Sequence, residues 1–548
     1  MEDKEFCLLD EPWIRVSTAD LEQKTVSLIE VMTHAQDYID LAGETPTQDA
    51  AIFRLLLAIA LTVFYHYDEG NQKKELSEKS GCDAGDVLDR WKAYWDRGSF
   101  PEEAIKTYLE TYRERFYLFH PQTPFYQVNG MYEKKYGTEC PTKCLVGNLK
   151  ESRNTDTRHH FSMTEGKELE KLSYGEAARW LIHLNAYGVN VKAPGNDVPG
   201  TKEPVGVGRL GQLGMIILKE KTLFRSLMLN LCPLRESLDL WAVPTPAWER
   251  EVCVERGKKL KSDNLPCLYT IQSRRITLKR DNGFVTEFRV MGGEYYPIEN
   301  DFCEPMTLWK KKESKGSPIM YIPRLHDSAG YAWEEFPALL YKAENAGHIP
   351  GIVVWLEWLY NQKVLPQKKL LRFQMVGMVY GDKMKYTYGD CISNSLDVSE
   401  SMLTDFAKEW VGRITEEVYS CQKVAEKALI PFASKIEKLF KKGAKKNNLK
   451  DMLIRNYYFL IDKAFRSWMV EIDPMQEEKE EKLAEWRKTS YRCAKQTVEE
   501  YLSAYNLKLY AYKEDGKEIL TVPKALNQFF ADLRRIYPQT ESGGKERT

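Results

Sequence analysis

The stretch Leu453–Ile472, LIRNYYFLIDKAFRSWMVEI, decides how the chain divides. Leu453, Tyr457, Leu460, Ile461, Ala464, Phe465, Trp468 and Ile472 recur at i, i+3, i+4 and i+7, which marks one apolar face of a helix. Outward from it, the same period begins near Asp397 and holds almost to the end. A preceding helix uses Leu403, Phe406, Trp410, Ile414 and Cys421. Pro431 should kink or end that helix, because its ring has no N–H and crowds the preceding turn. The basic run Leu439–Lys450 separates the two. After the quoted helix, Asp473 reads as an N-cap and Pro474 as the first position of a third helix carrying Leu483, Trp486, Cys493, Thr497 and Tyr501. A fourth follows Pro523, with Leu526, Phe529, Phe530 and Leu533. Four helices on short connections predict an up-down bundle over 397–537, with a disordered tail at 538–548.

Residues 1–396 show no such regularity. Short strand-like and helical runs alternate there, so the expected fold class is α+β: a large mixed α/β N-terminal domain, then the four-helix bundle. The most apolar run, Ala50–Phe64, is shorter than the roughly 20 residues a membrane span needs, and Arg54 interrupts it. It reads as a buried core helix, and no membrane partner is expected. The N-terminus is acidic and lacks the basic and apolar regions of a signal peptide. Eleven cysteines without a CxxC pair, the nearest two being Cys140 and Cys144, point to reduced thiols and a cytoplasmic protein. A net charge of -1 excludes a polycation but leaves room for a local basic patch.

Gly188–Gly214, GVNVKAPGNDVPGTKEPVGVGRLGQLG, is long for a connection inside a domain. Its glycines suit main chain laid against a ligand such as a nucleic-acid groove; it also reads as an unstructured surface loop. The literal GxGxxG at Gly206–Gly211 follows coil and precedes a strand, the reverse of a dinucleotide fingerprint, so no such cofactor is expected. Phe373–Tyr388 reads as a hairpin with its tip at Gly381–Lys385. Arg274, Arg275, Lys279, Arg280, Arg289 and Lys310–Lys312 decorate strand-like runs. Solvated strand faces explain most such charges, and a DNA-facing stripe is the other reading. His120, between Phe119 and Pro121, reads as a satisfied core group, and His159–His160 lacks further ligands at metal spacing. No nucleophile elbow, zincin or phosphate-loop motif occurs, so no enzyme is expected and no catalytic, metal or cofactor residue is assigned.

Three stretches in order resemble one family, the CasA large subunit of the type I-E CRISPR Cascade complex. They are Leu8–Val16 (LLDEPWIRV), Phe116–His120 (FYLFH) with Pro124–Gln127 (PFYQ), and Leu223–Cys232 with Pro246–Trp248. The resemblance implies a non-catalytic subunit that reads the protospacer-adjacent motif (PAM) in double-stranded target DNA. It also implies a role in opening the duplex into an R-loop and in recruiting the helicase-nuclease. The other implied partners are the guide RNA and the remaining Cascade subunits. Carried over by position, the PAM loop would be Lys192–Gly200, with Lys192, Gly195 and Gly200 at the DNA. The strand-parting wedge would be Lys383, Met384 and Lys385, where the family presents glutamine. Lys310, Lys311 and Lys312 match a family lysine pair near DNA. The family's minor-groove lysine has no clear counterpart, and Lys279, Arg280 and Arg289 compete for it. Gly147–Phe161, with Lys150, Arg153 and Arg158, corresponds to a loop near the end of the guide RNA. A protein-binding scaffold without nucleic-acid contact is the alternative, and a hydrolase with an unrecognised site is a third reading.

Overall fold

Periodicity and capping account for most of the elements. The computed structural model describes residues 4–77, 81–147, 171–189, 206–251, 254–255, 257–260, 262–313, 316, 318–341, 348–365, 370–381, 384, 387–404, 407–440, 449–474, 478–504, 511–515 and 518–538. In chain order the first elements are β1 (Glu5–Cys7), β2 (Ile14–Thr18), β3 (Gln23–Val26), α1 (Leu28–Thr33), β4 (Tyr38–Leu41) and α2 (Pro46–His66). Then come α3 (Ala84–Arg97), α4 (Glu102–Thr111), β5 (Tyr117–Phe119), β6 (Thr138–Pro141) and α5 (Tyr174–Tyr187). The middle holds β7 (Met215–Lys219), α6 (Leu223–Leu229), β8 (Lys258–Lys259), α7 (Leu265–Tyr269), β9 (Arg274–Asp281), β10 (Phe284–Gly292) and β11 (Glu294–Tyr295). β12 (Trp309–Lys312), β13 (Met320–Pro323), α8 (Phe336–Leu340), α9 (Gly351–Asn361), β14 (Leu370–Tyr380) and β15 (Thr387–Ser399) follow. The helical end comprises α10 (Lys408–Val424), α11 (Ile430–Phe440), α12 (Leu449–Glu471), α13 (Lys479–Ala504), the strands β16 (Tyr512–Asp515) and β17 (Glu518–Thr521), and α14 (Val522–Ile536).

The chain forms two compact units. The first comprises Met1–Ser328, Glu344–Leu365 and Leu371–Ser395. Its centre is α2, which is buried along nearly its whole length and packs on α5 and α7. Pro46 opens α2, and the Thr45 side chain accepts the Gln48 N–H. A helix apolar on all sides has to be a core helix or a membrane span. This one is long and apolar enough for a span, but 94% of its apolar window is buried inside the protein. The strands form small sheets, among them three of three strands in the orders β3-β2-β4, β6-β10-β9 and β15-β14-β7. The β9–β10 hairpin turns at Asn282 (φ 48°) and Gly283 (φ 81°), the left-handed pair that a two-residue turn demands.

The second unit comprises Ala329–Ala343, Pro366–Leu370 and Leu396–Thr548. The quoted stretch is α12, with Leu453, Tyr457, Ile461, Phe465 and Trp468 on its buried face. Trp468 stacks on Trp486 of α13 at 4.8 Å, and Phe465 meets Trp486 edge-on at 5.5 Å. One expectation narrows and one needs correction. Pro431 does not end the first helix. The turn before it widens into a π-helix at Ala425–Leu429, and α11 then continues to Phe440. A π turn re-routes the carbonyls that a proline leaves without a donor. Nor does Asp473 cap the third helix, which begins at Lys479. The β16–β17 hairpin between α13 and α14 was not expected. Leu223–Leu229 is helical, and Trp248, which the turn Thr245–Glu251 suggests is exposed or partly buried, is instead buried with its indole N–H on the Tyr108 hydroxyl at 2.7 Å.

Candidate nucleic-acid interface

Helix α5 carries the stems of both long loops. Ser173 and Glu176 cap its start reciprocally, and its last residue is Tyr187. The chain leaves at Gly188 and returns at Gly206–Gly208, where the Gly208 N–H donates to the Gly188 carbonyl at 2.8 Å. Arg274, the first residue of β9, closes this stem. Its Nη2 donates to the carbonyls of Gly188 (2.7 Å), Val189 (2.7 Å) and Gly206 (2.9 Å), and its Nη1 to Ser273 (2.8 Å). Arg274 is 1% exposed and makes no ion pair with any described residue. Burial pulls its guanidinium down to about 10, so it stays charged at neutral pH. The expectation that basic residues on this strand sit on a solvated face therefore fails for Arg274 and for Arg275, which is also 1% exposed.

The glycines of the GxGxxG stretch serve packing. A Cβ on Gly208 would lie 2.5 Å from the Ala186 carbonyl group, and one on Gly211 would overlap the Tyr380 hydroxyl. Tyr380 is the last residue of β14, and its Oη donates to the Tyr187 carbonyl at 2.7 Å. Loop stem and hairpin root therefore share one contact. Strand directions bring a third feature to the same place. Met215 pairs antiparallel with Val376 of β14 and bridges antiparallel to Thr307. β14 and the segment entering β12 thus both run past the N-terminal end of β7. Lys310 stands three residues beyond Thr307, about 10 Å at strand rise.

Under this surface lies a buried charge network. Arg54 and Glu304 form a two-pronged pair at 2.6 and 2.9 Å, and Arg209, from within GxGxxG, bonds to Asp301 and lies 3.5 Å from Glu304. Burial alone would raise the Glu304 carboxyl, but the two arginines outweigh it and hold it below the usual range. Asp301 ends up at about 6, because burial outweighs Arg209.

The other loop leaves at Gly147, which packs on the His183 ring one turn before the end of α5. His183 is 2% exposed, lies 3.0 Å from the Thr47 hydroxyl, and is pushed down to about 3 by burial. The native imidazole stays neutral while the unfolded one protonates below about 6.5, so stability falls as pH drops from about 6.5 to 3. His183→Gln should lose less stability than wild type between pH 7 and pH 4, measured by urea unfolding. An identical pH dependence would show that this ring titrates normally.

The residues proposed for DNA and RNA contact fall as follows. Lys192, Gly195, Gly200, Lys383, Lys385, Lys150, Arg153 and Arg158 lie outside the described residues. Met384 sits at the hairpin tip with φ 54°, its N–H donating to Gly381 at 3.0 Å. Lys279 pairs with Glu287 at 2.9 Å and Arg280 with Glu5 at 2.6 Å; both stand at the turn end of β9, Lys279 about 17 Å along the strand from Arg274. Arg289 pairs with Glu139 and lies over Tyr132. Lys311 pairs with Glu313 at 2.7 Å, while Lys310 and Lys312 are exposed and make no ion pair with described residues. Sequence reasoning missed Arg274 and Tyr380 as stem residues. The signal available was an Arg-Arg pair opening an otherwise apolar alternation, which is a costly pattern unless the charge is held.

By architecture this is an α+β protein with a C-terminal helical unit, in which a loop stem and a hairpin root meet at Tyr380. The family model for CRISPR-associated protein Cse1 matches residues 8–497. The chain belongs to that family, the CasA family its motifs resemble. A CasA/Cse1 protein of Thermus thermophilus is 28% identical over 344 residues, covering 62% of this chain. The match spans 60% of that relative's length. The crystal structure of Thermobifida fusca Cse1 superposes with a TM-score of 0.80 at 25% identity, covering 98% of each chain. A chain of a CRISPR RNA-guided surveillance complex shares the fold, with a TM-score of 0.70 at 16% identity, over 98% of this chain and all of that one.

Proposed function

We propose that this chain is the non-catalytic, PAM-reading large subunit of an RNA-guided type I-E Cascade complex in the cytoplasm. In this reading the Gly188–Gly208 loop lays main chain into the DNA minor groove. That groove is only about 6 Å wide and offers a degenerate hydrogen-bond pattern, so backbone enters where most side chains do not. The hairpin tip at Lys383–Lys385 then parts the first base pairs, with Met384 as an apolar wedge. Lys310 and Lys312 hold a displaced strand by phosphate contacts. The Gly147–Phe161 loop faces the guide RNA end, and other surfaces recruit the helicase-nuclease. Guide pairing carries the rest of the sequence specificity.

The observation that supports this most is the shared contact at Tyr380. Groove reading and strand parting must act on adjacent base pairs, and the loop stem and hairpin root are adjacent. In the assembled complex, Lys383→Glu with Lys385→Glu should slow strand opening at least about tenfold, equivalent to ~1.4 kcal/mol. Base-analogue fluorescence beside the PAM reports it. Opening at the wild-type rate would refute the wedge and favour a scaffold without DNA contact.

A further inference from the structure

The stem of the glycine-rich loop is held in an unusual way. One guanidinium bonds three carbonyls drawn from both its strands, at Gly188, Val189 and Gly206. A buried cation without a carboxylate is costly, and an apolar side chain would fill the space at lower cost. All three bonds come from Nη2: an apolar residue has no donor there, and a lysine lacks the second nitrogen, Nη1, that anchors the group on the Ser273 carbonyl. Arg274 is itself fixed, because its backbone N–H donates to Asn185 Oδ1 of α5 at 3.1 Å. The neighbouring Ser273 hydroxyl accepts the Arg209 N–H at 3.2 Å. On the other side of the stem, Tyr380 ties the hairpin root to the Tyr187 carbonyl and lies against Gly211.

We infer that Arg274 and Tyr380 are positioning residues that lock loop stem and hairpin root into one block, so that seating the loop on DNA sets where the hairpin meets the strands. This rests on the PAM-reading function proposed above. Motif recognition and strand opening are then one coupled event rather than two independent ones. Neither residue touches DNA.

The test uses the assembled, guide-loaded complex carrying Arg274→Met, Arg274→Lys, Tyr380→Phe, or Arg274→Met with Tyr380→Phe. The probe is a duplex whose motif the wild-type complex has selected from a randomised library, beside a duplex lacking it. The readout is the ratio of strand-opening rates on the two, with low-salt affinity for the motif-less duplex as control. The expected result is a ratio at least tenfold lower for Arg274→Met and for Tyr380→Phe, with the control within twofold of wild type. The double variant should be no worse than the weaker single, because residues acting as one unit are not additive. Arg274→Lys, which keeps charge but loses the fork, should resemble Arg274→Met. A wild-type ratio in Arg274→Lys or in Tyr380→Phe overturns the inference, as does full additivity in the double. Tyr380→Phe removes one hydroxyl only, so it decides the matter if Arg274→Met fails to assemble. A wild-type complex with no motif dependence would instead refute the PAM-reading function itself.

Discussion

Replacing Glu304 by alanine should destabilise the first unit by about 3–5 kcal/mol, the cost of removing one partner from a buried ion pair. Glu304 is fully buried and accepts two hydrogen bonds from Arg54, which burial leaves no route to water. The Met306 N–H and Arg209 lose a partner as well. Arg54 also lies 3.8 Å from the centre of the Tyr269 ring. Urea unfolding measures the loss. Arg54→Met combined with Glu304→Leu should recover most of it, because a well-packed apolar pair avoids the desolvation of both charges. A loss below about 1 kcal/mol for Glu304→Ala would mean that water reaches the pair, as it does for surface ion pairs.

Gly208→Val should have the largest effect on DNA recognition. The new side chain would start 2.5 Å from the Ala186 carbonyl group and 2.6 Å from the Asn185 carbonyl. Those are backbone atoms of α5, held by the helix, so the loop stem has to move. Overpacking of this kind costs about 1–3 kcal/mol. Displacement of the stem from Arg274 is expected to lower motif-dependent duplex binding about 10- to 100-fold, the same range expressed as affinity. Binding to motif-less duplex should change little, since phosphate contacts elsewhere carry it. A titration of the assembled complex against both duplexes checks this. Equal losses on both would place the damage in the general fold instead of the loop.

Elements with a strong period were legible from residues alone. The α12 face, the all-round apolar α2 and the β14–β15 hairpin were read correctly in type. The family was legible too, from short motifs in order such as Leu8–Val16 and Phe116–His120, and the family model matches residues 8–497. The misreadings have physical causes. Asp473-Pro474 has the chemistry of a helix start, yet α13 begins only at Lys479. Pro431 has the chemistry of a helix stop, and a π turn accommodates it.

By itself, the sequence determined the strongly periodic helices and the β14–β15 hairpin, that α2 is buried, and that GxGxxG lies outside a nucleotide-binding context. Each of these depends on side chains a few residues apart, where spacing and structure are tied by the period of the element. Only the tertiary structure decided that Arg274 is a buried clamp, that Gly208 and Gly211 are packing positions, and that Tyr380 meets Tyr187, 193 residues away. Contacts across that separation are set by how sheets and helices stack, and no local spacing records them.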